Sequence, residues 1–145
     1  MEATAVLRRD HDAMRDLLAQ LSSALGEDER TRTLFRALKD ELVRHTRVEE
    51  ELFYPALLRV RSPETRERVR DALGHHQALD ALVAEMDQTE PEDPRYADRL
   101  AVLRESVERH IEGEEGALFA LARIHLTDDR LLALGDRMEM RRGSY

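Results

Sequence analysis

Hydrophobic residues recur at intervals of three and four along this chain, in four long runs and one short one. Such spacing gathers apolar side chains on one face of an α-helix and leaves the opposite face polar. Residues that interrupt or begin helices, among them Gly26, Pro63 and Pro94, separate the runs. The pattern predicts long helices at about residues 4–25, 29–60, 63–88 and 94–124, and a short helix at about 128–142.

Residues that favour helix N-caps stand where these runs begin, namely Thr4, Ser62, Asp93 and Thr127. Long amphipathic helices with short connections favour an all-α fold, an antiparallel up-down-up-down four-helix bundle. We expect the bundle to occupy about residues 3–125, with a short C-terminal fifth helix docked on one end. A chain of 145 residues suits a single domain, 1–145.

The apolar stripes of the long helices contain histidine and glutamate where core residues are expected. A histidine and a glutamate four residues apart lie one turn apart on one helix face and can reach the same ion. Counting about 1.5 Å per residue from the shared loops places these side chains in one layer of the core. The layer is predicted to contain His11, His45, Glu49, His76, His110 and Glu114.

The two halves of the chain resemble each other around this layer. His11 and His76 are followed by apolar residues at the same offsets of three, six and seven positions. A His-x-x-x-Glu-Glu segment occurs in both the second and the fourth predicted helix, starting at His45 and His110. The chain therefore reads as a duplicated helix pair with pseudo-twofold symmetry, each half supplying two histidines and a glutamate.

Metal ions are the simplest partners for this layer. Buried imidazoles and carboxylates without a strong partner carry a large desolvation penalty, and four imidazoles outnumber two carboxylates. Two divalent or trivalent ions would satisfy the whole set. The chain has no cysteine, and imidazole with carboxylate suits iron, manganese or zinc. Two bridging carboxylates with two histidines per metal suit a dinuclear site in the core of a bundle.

These residues resemble the hemerythrin-like, HHE cation-binding family, in its four-histidine, single-domain bacterial form. The matching segments are Asp10-His11, His45-x-x-x-Glu49-Glu50 followed by Leu-Phe-Tyr-Pro, His76 with its apolar followers, and His110-x-x-x-Glu114-Glu115. The resemblance covers about residues 3–125. It implies a pair of non-haem iron ions with an oxo or hydroxo bridge, and Glu49 and Glu114 as bridging ligands. The other implied ligands are His11, His45, His76 and His110.

The chain departs from the oxygen-carrying hemerythrins in two places. Those proteins have a fifth histidine ligand, from a His-x-x-x-His pair on the third helix. Here His75 and His76 are adjacent and point about 100° apart, and the internal match selects His76. On the fourth helix Glu115 stands where the carriers have an aspartate ligand. Glu114 is favoured because it mirrors Glu49, and Glu115 is the alternative.

A missing fifth histidine should leave a coordination position open. That favours reaction with peroxide, dioxygen or nitric oxide over reversible oxygen carriage. The leading hypothesis is a non-haem di-iron protein that reacts with hydrogen peroxide or dioxygen, with catalase-like activity in oxidative-stress defence. One alternative is a non-enzymatic protein that binds, senses or stores oxygen, nitric oxide or iron. Another is a structural bundle that holds zinc.

Charge and hydropathy restrict the partners and the compartment. The formal net charge of -8 argues against nucleic acid or an anionic membrane surface. The sequence has no apolar run long enough for a bilayer and no signal-peptide pattern, so the cytoplasm is the default expectation. We expect a monomer or a weak homodimer.

Four further residues lie close to the predicted layer or carry imidazole elsewhere. Tyr54 is about 180° around an α-helix from His45, which favours a packing role between helices. If Pro55 distorts the helix, the Tyr54 phenol could instead lie beside the metal or bind it. Glu50 is expected to be solvated or to lie behind the ligands. The remaining histidines, His75 and His125, are expected at the surface.

Overall fold

The computed structural model describes residues 1–145 and is entirely helical. Two π-helical turns, Glu49–Phe53 and Glu114–Leu118, each lie within a longer rod and join α2 to α3 and α5 to α6. The α-helices are α1 Ala3–Ala24, α2 Asp28–Val48, α3 Tyr54–Leu58, α4 Pro63–Asp87, α5 Arg95–Gly113, α6 Phe119–His125 and α7 Asp128–Arg142.

The helices form the expected four-helix bundle with a short C-terminal helix. Helix α1 packs along α2, and α4 packs along α5, as short connections require for antiparallel neighbours. Contacts between α1 and α5 and between α3 and α4 join the two pairs. Helix α7 lies across one side, against α1, α2 and the first π turn. No helix has the length and apolar character needed to cross a membrane.

The core consists of two apolar clusters with a polar layer between them. One cluster lies toward the α7 end and includes Leu7, Phe53 and Phe119. The other fills the opposite end and includes Met14 and Leu38. Along each long helix the membership changes from one cluster to the other at the predicted histidine or glutamate. The polar layer therefore interrupts the hydrophobic core at the depth that the helical spacing indicated.

Two of the four predicted helix caps are present. The Ser62 and Thr127 side chains accept hydrogen bonds from amides three residues later. The N-cap position of α5 is Pro94 and not the predicted Asp93, whose Oδ1 accepts from the Arg95 amide at 2.9 Å. The prediction for Thr4 is wrong. The helix begins one residue earlier, and the carboxylate of Glu2 accepts from the first-turn amides, so Thr4 lies inside α1 and is buried.

The distortion expected at Pro55 begins six residues earlier, at the first π turn. A π turn closes i→i+5 hydrogen bonds and inserts one extra residue into the helix, so everything after it is rotated relative to a regular α-helix. Both π turns begin at a glutamate of the polar layer, Glu49 and Glu114. The backbone thus changes its rotation at the two places where carboxylates enter the core.

Candidate metal site

The six predicted residues come together in the polar layer. Helix α1 supplies His11, α2 supplies His45, α4 supplies His76 and α5 supplies His110, while the glutamates open the two π turns. Each of the six residues is at most 2% exposed. Apolar clusters on both sides shield the layer from water, which strengthens every electrostatic interaction inside it.

The imidazoles point their Nε2 atoms at the two carboxylates. The distances are 2.9 Å from His76 Nε2 to Glu49 Oε1, 3.0 Å from His11 Nε2 to Glu114 Oε1, 3.1 Å from His45 Nε2 to Glu49 Oε1 and 3.3 Å from His110 Nε2 to Glu49 Oε1. One donor atom from each of five residues lies within 4.8 Å of the others: His11, His45, Glu49, His110 and Glu114. His76 joins this group through Glu49.

Several of these atoms are close together without forming hydrogen bonds. His45 Nε2, His110 Nε2 and Glu49 Oε2 are buried and have no hydrogen-bond partner. Unpaired buried polar atoms are costly, and a protein that keeps three of them in one place needs a ligand to compensate. Four imidazole nitrogens with carboxylate oxygens form a donor set that suits iron, manganese or zinc. The residues present therefore fit a metal centre.

The imidazoles fall into two pairs, one from each half of the chain. The ring centroids of His11 and His45 are 4.9 Å apart, and those of His76 and His110 are also 4.9 Å apart. Distances between the pairs are longer, 5.7 Å from His45 to His110 and 6.0 Å from His11 to His110. We call the pairs the first half-site (His11, His45) and the second half-site (His76, His110). Both contact the two glutamates.

Carboxylates behind the ring fix the orientation of three of the four imidazoles. Nδ1 of His11 donates to Glu115 at 2.7 Å, Nδ1 of His76 donates to Glu50 at 2.8 Å, and Nδ1 of His45 donates to Asp10 at 3.1 Å. Such outer partners fix the tautomer and raise the basicity of an imidazole ligand.

Glu115 therefore sits behind His11, while Glu114 faces the converging Nε2 atoms. Of the two alternatives from the sequence, the geometry favours Glu114 for contact with a metal. Glu50 takes the equivalent position behind His76, which was one of the two positions expected for it. Neither of these outer carboxylates is among the converging donor atoms.

The carboxylate behind His45 was not identified as a partner from the sequence. Asp10 is 1% exposed, and its Oδ1 lies 3.2 Å from Nε of Arg142, near the end of α7. Arg142 also pairs with Glu41 on α2. The C-terminal helix is thereby connected to the first half-site through Arg142, Asp10 and His45. Only the packing of α7 over α1 and α2 creates this contact.

Tyr54 points into the site. Its hydroxyl donates to Glu114 Oε2 at 2.7 Å and lies 3.3 Å from His76 Nε2, and the residue is 2% exposed. The favoured interpretation was a packing residue that faces away from His45. It is wrong, because the Tyr54 side chain points into the site. The alternative had the phenol reaching the site through a distorted helix. The first π turn supplies that distortion, because it rotates every residue that follows Phe53.

The charges in the layer perturb each other's protonation. Burial opposes charge on His45, but the charge of Glu49 and hydrogen bonds to Asp10 and Glu49 raise the pKa of His45 well above its usual value. Burial would raise the pKa of Glu49, yet the facing histidines hold it well below its usual value. Burial and the charge of Glu49 raise the pKa of Glu114. The same two causes, with the charge of Glu114, raise the pKa of Tyr54 well above its usual value.

Protons are therefore distributed unevenly among these side chains. Glu49 holds its negative charge against positively charged imidazoles, while Tyr54 stays a neutral hydroxyl that donates to Glu114. A metal cation can replace the imidazolium protons as the partner of both carboxylates. Metal binding should release those protons, since a histidine ligand must be neutral.

The two other histidines lie outside the layer. His125 is partly buried beside α7, in a pocket that it shares with Arg59, Arg130 and Arg137. His75 is also partly buried rather than fully at the surface, and its ring centroid lies 6.4 Å from that of His110. Burial and the neighbouring His110 lower the pKa of His75.

A pocket of about 390 Å³ runs from the surface between α4 and α5 to the second half-site. We call it the His75 pocket. Its walls include Gly74, His75 and Gly113, and its inner end reaches His110 and Glu114. The pocket gives small molecules a route toward the otherwise shielded layer.

The profile of the hemerythrin HHE cation-binding domain matches residues 2–122. The chain belongs to this family. The matched range contains the whole polar layer and ends within α6, so the α7 helix lies beyond it. The chain is thus an HHE cation-binding domain whose buried histidines and glutamates can bind metal.

Mycobacterial proteins are similar to this HHE chain over nearly its full length. An uncharacterized protein of Mycobacterium tuberculosis is 33% identical over 142 residues, which cover 97% of this chain and 85% of that protein. The crystal structure of its Mycobacterium kansasii homologue, an HHE cation-binding domain-containing protein, superposes with a TM-score of 0.86 at 28% identity. That superposition covers 99% of this chain and 89% of the other. The mycobacterial structure therefore includes a counterpart of α7.

A cyanobacterial relative shares only this domain. The DNA nickase of a Nostoc species is 26% identical over 130 residues, which cover 90% of this chain and 36% of that protein. The similarity is confined to about a third of the nickase, so the nicking activity of that protein says nothing about this chain.

Proposed function

We propose that this protein is a non-haem di-iron protein that decomposes hydrogen peroxide or reacts with dioxygen. A catalase-like reaction in oxidative-stress defence is its leading activity. The observation that carries the proposal is the buried layer in which four Nε2 atoms face two carboxylates. Three atoms of this layer, His45 Nε2, His110 Nε2 and Glu49 Oε2, have no hydrogen-bond partner. Membership of a cation-binding family supports iron as the natural occupant.

The proposed ligands are the Nε2 atoms of the four imidazoles and the oxygens of the two glutamates. Glu49 and Glu114 contact both half-sites and would bridge the two irons. Each half-site would supply two imidazole nitrogens, and both glutamates would supply oxygens. That donor count leaves room for an oxo or hydroxo bridge and for an exogenous ligand, as the missing fifth histidine suggests. The proposed ligands are His11, His45, Glu49, His76, His110 and Glu114.

When held by these residues, an iron pair would supply the two-electron redox chemistry by which two peroxides become one dioxygen and two waters, with two protons released from one peroxide and taken up by the other. The protein's own groups would direct those protons. Tyr54 carries a hydroxyl between Glu114 and His76. We assign Tyr54 the role of holding and returning a proton beside the second half-site, with direct coordination by the phenol as the alternative.

Burial of the layer limits side reactions. The apolar clusters on both sides exclude bulk water, and the outer carboxylates hold three imidazoles in one orientation. Preorganised ligands of this kind do not have to reorient during a reaction cycle. The His75 pocket admits a small reactant without exposing the layer to bulk solvent.

Oxygen evolution from hydrogen peroxide tests the proposal. Protein reconstituted with iron should bind two irons per chain and release one dioxygen for every two peroxides consumed. Protein loaded with zinc is the matched control, because zinc occupies the same donors but has no redox chemistry. Two irons per chain without oxygen release would contradict the enzymatic function and support the alternative, a non-enzymatic protein that binds, senses or stores oxygen, nitric oxide or iron.

We further propose that residues 1–145 act as a single hemerythrin-like domain in the cytoplasm, as a monomer or a weak homodimer. The docking of α7 on α1 and α2 supports one folding unit. Light scattering over a range of protein concentrations and a single unfolding transition would test the assembly and the domain.

A further inference from the structure

The two half-sites are related by a constant sequence offset, and one pair of positions breaks the relation. Adding 65 to His11, His45, Glu49 and Glu50 gives His76, His110, Glu114 and Glu115. The same step takes Asp10 to His75. A carboxylate behind one imidazole is thus replaced by a second imidazole in the other half.

This replacement leaves His110 without the support that the other three imidazoles have. Nδ1 of His45 donates to Asp10, which Arg142 in turn holds. Nδ1 of His110 is buried and has no hydrogen-bond partner, while the His75 ring stands edge-on to it at 6.4 Å between centroids. An imidazole without an outer partner is less fixed in orientation and is a poorer metal donor.

The second half-site, which contains His110, is also the one that a surface pocket reaches. Helix α7 covers the surface of α1 and α2, whereas no helix covers the His75 pocket between α4 and α5. Gly113 lines that pocket, and a Cβ there would meet only the His75 ring, at 4.0 Å. Its counterpart in the first half is Val48, which is fully buried in the core. Gly113 leaves space for the pocket in the second half, whereas the side chain of Val48 fills the equivalent space in the first half.

We infer that exogenous ligands bind at the second half-site through the His75 pocket, and that this half-site holds its metal ion more weakly than the first. The inference rests on the proposed dinuclear site and adds to it an inequality between the two positions. The ligand class is small and compact, such as peroxide, azide or nitric oxide. Gly74, Gly113 and the His75 ring line the pocket together with the charged side chains of Arg68, Arg70 and Asp71. Its inner end lies against the buried His110 and Glu114, where only a small molecule has room.

The affinity of the two positions is tested with Zn²⁺ alone, by competition with a chromophoric chelator. His75→Asp restores the carboxylate that Asp10 supplies in the other half. It should tighten the weaker zinc by roughly tenfold, the usual effect of an outer-shell partner. Asp10→Asn should weaken the tighter zinc and leave the weaker one unchanged. Equal wild-type affinities, or no effect of His75→Asp on the weaker zinc, would overturn the inequality.

The access route is tested with azide on the diferric protein. Gly113→Val copies Val48 into the pocket mouth and should slow azide binding at least tenfold, with two irons still bound. Gly116→Val is the matched control. It lies on the second π turn outside the pocket, and a Cβ there meets nothing within 4 Å, so azide should bind at the wild-type rate. Unchanged azide binding in Gly113→Val would exclude this route.

Neither measurement depends on peroxide turnover. If the iron protein evolves no oxygen, the zinc affinities and the azide rates still report on the two half-sites. Conversely, an active enzyme with two equal zinc sites would keep the proposed function and reject the inequality.

Discussion

The two π turns have the same backbone form and the same place in each half, yet they deliver different side chains to the site. The residue after the first turn is Tyr54, whose hydroxyl reaches Glu114 and approaches His76. The residue after the second is Phe119, whose ring stacks on His11 with an interplanar angle of 7°. The guanidinium of Arg8 lies 5.2 Å above the same Phe119 ring.

This difference gives the two half-sites opposite surroundings. Around the first half-site lie an apolar ring, the Asp10 carboxylate and the covering helix α7. Around the second lie a hydroxyl, an unsupported His110 and an open pocket. A duplicated helix pair supplies two similar sets of metal donors. Unequal neighbours then make one position suited to holding an ion and the other suited to reactions.

The largest expected effect follows from removing a donor. Glu49→Ala should lose at least one of two metal ions, because this carboxylate contacts three of the imidazoles. His110→Ala should empty its half-site more completely than His45→Ala, since the second half-site already binds its ion more weakly. Metal content per chain after reconstitution measures both effects. Glu112→Ala, an exposed change on α5, is the control. Two metals retained in both His45→Ala and Glu49→Ala would refute the ligand assignment.

The second largest expected effect is a loss of folding stability when the metal is removed by a chelator. An ion present at about 1,000 times its dissociation constant stabilises the folded state by about 4 kcal/mol. For a chain of this size that corresponds to a fall in melting temperature on the order of 10 °C. Calorimetry before and after EDTA, with metal loss confirmed, gives the answer. Intermediate chelation should produce a one-metal species, and an unchanged melting temperature after complete loss would argue against a buried site.

Tyr54→Phe would make the first π turn resemble the second. Glu114 would lose a hydrogen-bond donor at a buried carboxylate, which costs about 1–3 kcal/mol in the metal-free protein. If the hydroxyl handles a proton, peroxide turnover should fall by a factor on the order of 100. Chemical denaturation and oxygen release measure the two effects. Loss of a phenolate-to-iron absorption band in the variant would favour direct coordination over proton handling.

The reciprocal variant is Phe119→Tyr, which introduces a hydroxyl beside His11. It should not rescue turnover in Tyr54→Phe, because the new hydroxyl lies at the half-site that the pocket does not reach. Restored turnover in the double variant would mean that the two half-sites are equivalent.

The smallest expected effect concerns the link from α7. Arg142→Met removes the charge that holds Asp10 behind His45, and should weaken the tighter metal by less than tenfold. Arg142→Lys should restore part of the affinity, since it keeps a cation near Asp10. Arg141→Met is the control, because Arg141 pairs with Glu51, which is exposed and outside the metal site. Equal zinc affinities in the wild type and Arg142→Met would show that α7 does not influence metal binding.

Helix positions and the membership of the polar layer follow from the sequence alone. Spacing of three and four residues decides which side chains share a face of one helix, and loop counting decides their depth. These two rules together predict that His11, His45 and His76 share one layer. The same reasoning predicts the fold, because short connections leave few arrangements for four amphipathic helices.

Tertiary structure decided what each member of the layer faces. The π turns rotate Tyr54 toward Glu114, and apolar periodicity carries no signal for an inserted residue. Distances across helices distinguish Glu114 from Glu115, which are neighbours in the sequence. Asp10 and Arg142 lie near opposite ends of the chain and meet only because α7 packs over the first half. Contacts between helices depend on packing of the whole bundle, so no local pattern in the chain could have determined them.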